Sequence, residues 1–463
     1  MISNLTTAIR SNKNLSFKEK ILLTWKLSVP AMIAQLTSIV MQYIDAAMVG
    51  HIGAEASAAI GVVASSTWLL GSLLIAVIYG FSVQISHAVG ANDKRRVKNL
   101  FKQGLVITVL FAVVMLVLGV LVSKPLPRIL GADEKICVEA SKYFMIYALS
   151  LPICQIQYFC GASLQATGNM KIPGMLESAM CVLDVIFNFF FIFPTATYDI
   201  CGIKITPPGL GLGVTGAALG TAASQLVIAA AMFYFAAIRS EQLRINLKER
   251  LFFDINTLKS AAKISIPAAF EQVALTGAQI MSTGIVAPLG TVAIAANSFA
   301  VTAESLCYMP GYGLQSSAST LVGQAIGARK KKLAKSFAWI TVGMGMVIMT
   351  LIAIIMYFIC PFLINFLSPD TEVVDLAIRV LRIELLAETF FGASIIAAGA
   401  LRGAGDTLVP SIMNLISIWG VRITMSYFLV GHGYGLVGAW IAMCLELIFR
   451  GIIFLIRLKT TKW

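Results

Sequence analysis

The stretch KLSVPAMIAQL at residues 26–36 returns as KISIPAAFEQV at residues 263–273, and this repetition decides the fold. Lysine, serine, proline, alanine and glutamine recur in register, so that Pro30 matches Pro267 at an offset of 237 residues. Because separated blocks keep this register, the chain consists of two related halves. Three glycine pairs keep the same offset: Gly53 with Gly290, Gly90 with Gly327, and Gly168 with Gly405.

Composition places both halves in a membrane. Of 463 residues, 58% are hydrophobic and 12% are charged, with a mean hydropathy of +0.86. Soluble domains are about 25% charged, and many apolar runs here reach the roughly 20 residues that a transmembrane helix needs. The sequence predicts an all-α integral membrane protein whose twelve transmembrane helices form two parallel six-helix repeats around a central cavity. The expected spans are 22–49, 57–86, 99–123, 138–165, 172–194, 212–238, 261–288, 293–322, 335–357, 377–401, 409–431 and 435–457.

The distribution of basic residues predicts the topology. Most of the 35 Lys and Arg residues lie at the N-terminus, in the connections after even-numbered spans and at the C-terminus. By the positive-inside rule, both termini are expected in the cytoplasm and the multi-pass chain in the inner (plasma) membrane. The topology therefore explains the net charge of +13, and we do not expect a nucleic-acid partner. We expect an N-lobe at 1–238, a cytoplasmic linker at 239–260 and a C-lobe at 261–463.

The sequence contains no motif for disulfide or redox chemistry, for metal binding or for nucleotide binding. The eight cysteines are scattered without a CxxC pair, the three histidines form no cluster, and no Walker-type phosphate loop precedes a helix. We expect no enzyme activity, no resident metal and no cofactor, so that an ion gradient or a partner protein would supply the energy for any transport. Parallel repeats are one pattern of secondary transporters, which bind substrate between the halves and work by alternating access.

Ionisable residues inside the spans are the candidate site residues, because each costs at least about 2.5–3.5 kcal/mol on insertion scales. Asp45 ends an apolar run in span 1, and Asp184 lies one turn before Asn188 in span 5. These residues are expected to bind a proton or cation, although Asp45 could instead be a structural, hydrogen-bonded residue. Glu271 in span 7 could serve coupling or a structural pair with a neighbouring helix.

A further group of charges lies in spans 10 to 12. Glu384 and Glu388 share one face of span 10. Arg422 is central in span 11 and invites a structural ion pair with Glu446 or Glu388. Glu446 could also pair with Arg450 along its own helix.

At this point the motifs resemble one family. The chain from about residue 20 to residue 457 resembles the multidrug and toxic compound extrusion (MATE) family, in its bacterial form. The resemblance implies two six-helix lobes around a V-shaped cavity, and an exporter of cationic, often aromatic compounds driven by inward flow of H⁺ or Na⁺. The segments that carry it are YIDAAMVGHIG (43–53), GANDKRR (90–96), QATGNMKIP (165–173), IPAAFEQ (266–272), APLGTVAIAAN (287–297), LVGQAIGAR (321–329) and LRGAGDT (401–407).

The resemblance also implies roles for single residues. Asp45 matches the coupling aspartate of span 1, and Glu271 matches the span-7 glutamate of NorM-like members. Asp184 and Asn188 fall on the polar pair of span 5, in the reverse order from DinF-like relatives. The span-10 aspartate of some members falls on Phe391, and Glu388, one turn away, could replace it.

Together these observations predict a secondary antiporter that exports cationic or lipophilic compounds in exchange for H⁺ or Na⁺. Na⁺ could bind at Asp45, Asp184 and Asn188. The expected partners are small organic cations and the lipid bilayer, and we expect a monomer because two lobes already enclose a site. A lipid-linked sugar flippase or a metabolite exporter of the same superfamily is the alternative.

Overall fold

The computed structural model describes residue 9 and residues 15–195, 198–200, 203–205, 209–246, 253–367, 370–461 and 463. Twelve long helical segments follow one another along this part of the chain. They are α1 Phe17–Gly50, α2 Ala54–Gly90, α3 Lys94–Ser123, α4 Glu134–Ala166, α5 Lys171–Ile192, α6 Gly213–Phe233, α7 Ile255–Val286, α8 Thr291–Gly327, α9 Lys331–Leu367, α10 (Thr371–Glu384 and Glu388–Gly403), α11 (α-helical Leu408–Leu415 and Thr424–Leu429, π-helical Ile416–Ile423 and Val430–Tyr434) and α12 Gly435–Thr460. Three short helical pieces, Leu126–Ile129, Tyr234–Arg239 and Ala287–Leu289, lie between them.

The predicted all-α membrane fold is confirmed, with differences in detail. Nine helices in the described ranges are long and apolar enough to cross a membrane, and α11 and α12 are counted among them as one 53-residue run. Positive φ angles at Gly433 (89°) and Gly435 (55°) bend that run, because glycine tolerates this conformation. The expected single span 377–401 is broken at residues 385–387 into segments of 14 and 16 residues.

Local sequence signals fix several helix starts. Ser16 and Glu19 form a reciprocal capping box before α1. Asp93 accepts a hydrogen bond from the Arg96 N–H at the start of α3, and Asp254 accepts one from a backbone N–H at the start of α7.

The loop between α5 and α6 adds a small strand pair to the helical fold. Strand β1 Tyr198–Ile200 pairs antiparallel with β2 Ile203–Ile205. This loop is the longer connection that the sequence shows only in the first half.

The backbone repeats its unusual turns at the 237-residue offset. A positive φ is uncommon outside glycine, so recurrence at matched positions means that one turn is built twice. The matched pairs are Gly53 and Gly290 (145° and 97°), Asn92 and Arg329 (58° and 59°), and Gly168 and Gly405 (both 91°).

The helices pack as two groups of six. Within the N-lobe, α1 contacts α5, α2 contacts α4, and α6 contacts both α4 and α5. Within the C-lobe, α8 contacts α9 and α10, while α11 contacts α7 and α12. The lobes meet through α1 with α8 and α2 with α7, and these two contacts are related by the repeat.

The lobes approach most closely at one end of the molecule, which we call the basic end. It holds the start of α1 and the Lys- and Arg-rich turns at 91–98 and 328–335. A Cβ atom on Gly90 would overlap the Gln324 carbonyl oxygen, and one on Gly327 would overlap the His87 carbonyl oxygen. Glycine at both positions therefore lets the two backbones touch.

Side chains reinforce this closure in a matched pair of contacts. His87 Nε2 lies 2.8 Å from the Gly403 carbonyl oxygen, and Gln324 Nε2 donates to the Ala166 carbonyl oxygen at 2.9 Å. Residues 87 and 324, like residues 166 and 403, are one repeat apart. We call these two contacts, with the Gly90 and Gly327 backbone contacts, the gate.

Candidate functional site

Three of the expected site residues meet in the N-lobe. Asn188 on α5 donates through Nδ2 to Asp184 Oδ2 at 2.8 Å and to Asp45 Oδ1 of α1 at 2.9 Å. Ser224 of α6 donates to Asp184 Oδ1 at 3.1 Å. Asp184 is 0% exposed and Asn188 is 1% exposed, whereas Asp45 is half-buried. One amide group therefore holds two carboxyl groups from different helices.

The spacing of the residues and a glycine explain this geometry. Asp184 and Asn188 are four residues apart, which places them on one face of α5. Gly220 on α6 allows the close approach, because a Cβ atom there would overlap Asn188 Oδ1. Sequence spacing predicted the shared face, but it gave no sign of Ser224 or Gly220.

The remaining oxygen of this amide has a chemical consequence. Asn188 Oδ1 is buried and has no hydrogen-bond partner among the described residues. An amide oxygen beside two carboxyl groups is the oxygen donor set that hard cations prefer. The arrangement, which we call the N-lobe acidic site, can hold a proton between the carboxyl groups or a small cation among the oxygens.

Glu271 forms a second polar site, in the C-lobe. Its carboxylate accepts from Ser411 Oγ at 2.7 Å and from Asn414 Nδ2 at 2.6 Å, both on α11. Arg402 Nη2 of α10 lies 4.0 Å from Glu271 Oε2. The α11 and α10 partners were not found from the sequence, because polar residues at i and i+3 are common in helices.

Arg422 lies on Glu446 and not on Glu388. Arg422 contacts Glu446 Oε2 through Nε at 3.0 Å and Nη2 at 2.7 Å, and Arg450 Nε lies 3.1 Å from Oε1. Ser417 also donates to Oε1, at 2.6 Å. Glu446 is fully buried between the two guanidinium groups.

The π-helical turn of α11 makes this convergence possible. Ser417 and Arg422 are five residues apart, and five residues on a regular α-helix lie about 140° apart around the axis. Ile416–Ile423 is π-helical, and i to i+5 bonding brings these two positions to one side. No pattern in the sequence indicated this turn.

Glu388 lies in a different environment from the other candidates. Glu384 and Glu388 are both 0% exposed, and none of their four carboxyl oxygens has a hydrogen-bond partner in the described chain. Glu304 of α8, also buried, acts electrostatically on both. Glu304 was not among the predicted site residues, although a glutamate within the apolar run of α8 is a signal that the sequence shows.

Phe391 has a packing role at the position where the family resemblance expects an aspartate. Its ring lies 5.4 Å from the Tyr308 ring, centroid to centroid. The Arg450 guanidinium lies 5.2 Å from the centre of the Phe391 ring. No carboxylate therefore replaces the family aspartate at position 391 itself.

Two six-helix lobes that share one repeat, meet through a pseudo-twofold interface and bury carboxylates in their cores are the architecture of a membrane transporter. The chain belongs to the MatE family, whose defining pattern matches residues 30–190 and again residues 267–428. It is therefore a membrane transporter of the multidrug and toxic compound extrusion family.

The chain is similar over most of its length to bacterial proteins named as probable multidrug resistance proteins. A probable multidrug resistance protein NorM of Thermotoga maritima is 26% identical over 446 residues, which cover 95% of this chain and 92% of that one. A probable multidrug resistance protein YoeA of Bacillus subtilis is 23% identical and covers 89% of this chain and 88% of its own.

Solved structures share the fold. A variant of the Vibrio cholerae MATE transporter VcmN superposes with a TM-score of 0.86 at 21% identity, covering 99% of this chain and 97% of that one. An outward-facing MATE family transporter gives a TM-score of 0.88 at 18% identity, covering 98% of both chains. A Pyrococcus furiosus transporter described as having a binding pocket of reversed polarity gives the same score at 18% identity, covering 98% of this chain and 99% of that one.

Proposed function

We propose that this transporter exports organic cations in exchange for H⁺ or Na⁺, with its basic end in the cytoplasm of the cell and its body in the plasma membrane. The observation that carries the proposal is the N-lobe acidic site, where Asn188 joins Asp45 and Asp184 and keeps one oxygen without a partner in the described part of the chain. Buried carboxyl groups attract cations of either kind.

Exchange follows from competition for these charges. With the gate closed at the basic end, ions reach the N-lobe acidic site from outside the cell. A proton or Na⁺ that neutralises Asp45 and Asp184 weakens the attraction for an organic cation, which then leaves outward. After the lobes reorient, the ion dissociates inside and the carboxylates again attract substrate.

The C-lobe supplies a second acidic position for the same exchange. Glu271 receives two hydrogen bonds from neutral donors on α11, which suit a carboxylate. Glu388 is a further candidate, because a buried carboxyl group without a partner gains most from a bound proton or cation. NorM-like relatives named as probable multidrug resistance proteins support the assignment of drugs as substrates.

The distribution of charge disfavours a lipid-linked sugar flippase. Recognition of a pyrophosphate would need cations free to face the cavity. Arg402, Arg422 and Arg450 each lie instead within 4.0 Å of a buried carboxylate. We also propose that the protein works as a monomer and without a resident cofactor.

Ethidium transport in everted membrane vesicles tests the function. Wild type is compared with Asp45→Asn and with Glu55→Gln, an exposed carboxylate at the start of α2. A pH gradient and a Na⁺ gradient are applied separately. We expect wild type and Glu55→Gln to transport ethidium with one of these gradients, and Asp45→Asn to lose at least about tenfold in rate, equivalent to 1.4 kcal/mol.

Two results would contradict the proposal. Equal transport by Asp45→Asn at equal expression would remove Asp45 from coupling. Absence of transport in wild type with both gradients, over a panel of aromatic cations, would favour a metabolite exporter of the same family.

A further inference from the structure

Arg402 is a buried cation that contacts both lobes. It lies near the end of α10 and is 7% exposed. On one side its Nη2 lies 4.0 Å from Glu271 Oε2 in its own lobe. On the other side its guanidinium lies 4.0 Å from the centre of the Tyr79 ring on α2, in the N-lobe. A cation over an aromatic face is attracted by the ring, and more strongly when both are desolvated.

The contact lies directly at the gate. Arg402 precedes Gly403, whose carbonyl oxygen accepts from His87. Tyr79 precedes Gly80, where a Cβ atom would overlap Ser265 of the other lobe. A guanidinium over the Tyr79 ring therefore joins α2 and α10, the same two helices that the His87–Gly403 contact of the gate joins.

The two-fold repeat does not require this group. All three members lack a counterpart of their own kind in the other half, so packing symmetry alone cannot explain them. The residues one repeat away are Gln165 for Arg402, Ser316 for Tyr79 and Ala34 for Glu271.

The charge on Glu271 determines where Arg402 is stable. An arginine inside a protein needs a compensating charge, because desolvation of an unpaired ion costs several kcal/mol. The charged and titratable groups that act on Glu271 are Arg402 of α10, Arg450 of α12 and Tyr312 of α8. Arg450 lies against Glu446, so Glu271 is the carboxylate that compensates Arg402.

We infer that Arg402 is a positioning residue that couples the ion occupancy of Glu271 to the gate, an inference that rests on the proposed exchange function. With Glu271 ionised, Arg402 stays over Tyr79 and the gate stays closed. When a proton or Na⁺ neutralises Glu271, Arg402 loses its counter-charge, leaves Tyr79 for water, and the gate opens. The empty transporter is thereby kept from reorienting without its ion.

Hydrogen–deuterium exchange of the full chain in lipid nanodiscs tests this inference without a transport assay. Deuterium uptake, scaled to the intrinsic amide exchange rate at each pH, is measured for peptides spanning residues 80–91 and 320–328, at alkaline pH without Na⁺, and then at acidic pH or with Na⁺. The variants are Arg402→Gln, Tyr79→Leu, Tyr79→Met, Tyr79→Phe and Glu271→Gln. Arg457→Gln is the matched control, because Arg457 pairs with Asp406 at 2.5 Å within the C-lobe alone.

We expect deuterium uptake by the two gate peptides to rise several-fold in wild type and in Arg457→Gln when H⁺ or Na⁺ is added. Arg402→Gln, Tyr79→Leu and Glu271→Gln should show the high uptake already without the cation. Tyr79→Phe keeps the aromatic face and should behave as wild type. A purely steric role for the side chain at position 79 would give the same result. Tyr79→Met, which is of similar length but not aromatic, separates the two explanations and should behave as Tyr79→Leu.

The inference is overturned if Arg402→Gln keeps the wild-type response, if Tyr79→Met keeps it, or if wild-type uptake ignores both cations. If Arg402→Gln fails to fold, the Tyr79 variants give the same decision. Ethidium transport with an unresponsive gate would overturn this inference and leave the proposed function standing. A gate that responds to the cations in a protein that does not transport ethidium would overturn the proposed function and leave this inference standing.

Discussion

His87 and Gln324 lie one repeat apart and make the same contact with the opposite lobe. Each reaches a carbonyl oxygen at the end of a helix, Gly403 for His87 and Ala166 for Gln324. Because a carbonyl oxygen only accepts, the imidazole must donate through Nε2–H. The two halves thus make the same N–H to carbonyl hydrogen bond with different side chains, an imidazole in one half and an amide in the other.

Replacement of His87 should show this equivalence. We expect His87→Gln to retain ethidium transport and gate protection, since glutamine already makes the matched contact at 324. His87→Leu should leave the Gly403 carbonyl unpaired, at a cost of about 1–3 kcal/mol. Gate-peptide deuterium exchange measures both variants. If His87→Gln opens the gate as much as His87→Leu, the imidazole has a role beyond this contact.

Gly220 should be intolerant of a methyl group. Gly220→Ala places a Cβ atom onto Asn188 Oδ1 and should separate Asn188 from its carboxyl partners, with a loss of stability of about 1–3 kcal/mol. Gly343→Ala in α9 is the control, because nothing lies within 4 Å of a Cβ atom there. Thermal unfolding in detergent and ethidium transport give the comparison. Equal melting temperatures would show that α6 can move away at little cost.

Glu446 should be a major stabilising residue of the C-lobe. Glu446→Gln leaves Arg422 and Arg450 without their shared counter-charge, and removal of one partner of a buried pair costs about 3–5 kcal/mol. Asp406→Asn breaks the pair between Asp406, which is 22% exposed, and Arg457, which is 33% exposed. The loss of this more exposed pair should cost at most about 1 kcal/mol. Thermal melts of the two variants decide between buried and exposed pairing. A smaller loss in Glu446→Gln than in Asp406→Asn would contradict the geometry.

Glu384 and Glu388 should respond in the opposite direction. Their carboxyl oxygens are buried and have no hydrogen-bond partners among the residues that the structure describes, so an amide of the same shape removes a desolvated charge. We expect Glu384→Gln and Glu388→Gln each to raise the free energy of unfolding by about 1–3 kcal/mol, and therefore to raise the melting temperature. Ethidium transport by the same proteins shows separately whether Glu388 is needed for coupling. A lower melting temperature in both would mean that these carboxyl groups have stabilising partners.

Sequence reasoning reached the elements whose signal is local or repeated. The offset of Pro30 and Pro267 predicted the two halves, and the i, i+4 spacing predicted that Asp184 and Asn188 share a face. Partners on other helices, such as Ser224 for Asp184 or Ser411 for Glu271, depend on how helices rotate against each other. No pattern within one helix encodes that rotation.

The π-helical turn of α11 shows a second limit. A regular helix predicts that Ser417 and Arg422 point in different directions, yet both reach Glu446. The extra residue in the turn is stabilised by that tertiary contact, and apolar periodicity does not report it. Glu304, in contrast, was visible in the sequence and was overlooked.

The contact of bare backbones at Gly90 and Gly327 has a bearing on how such a protein diverges. Main-chain atoms are the same in every sequence, so a closure made from them survives while surrounding side chains are exchanged. Only the size of two residues is constrained, whereas the electrostatic groups deeper in each lobe are free to differ. Side chains elsewhere in the two lobes can therefore change while the closure at the basic end is kept.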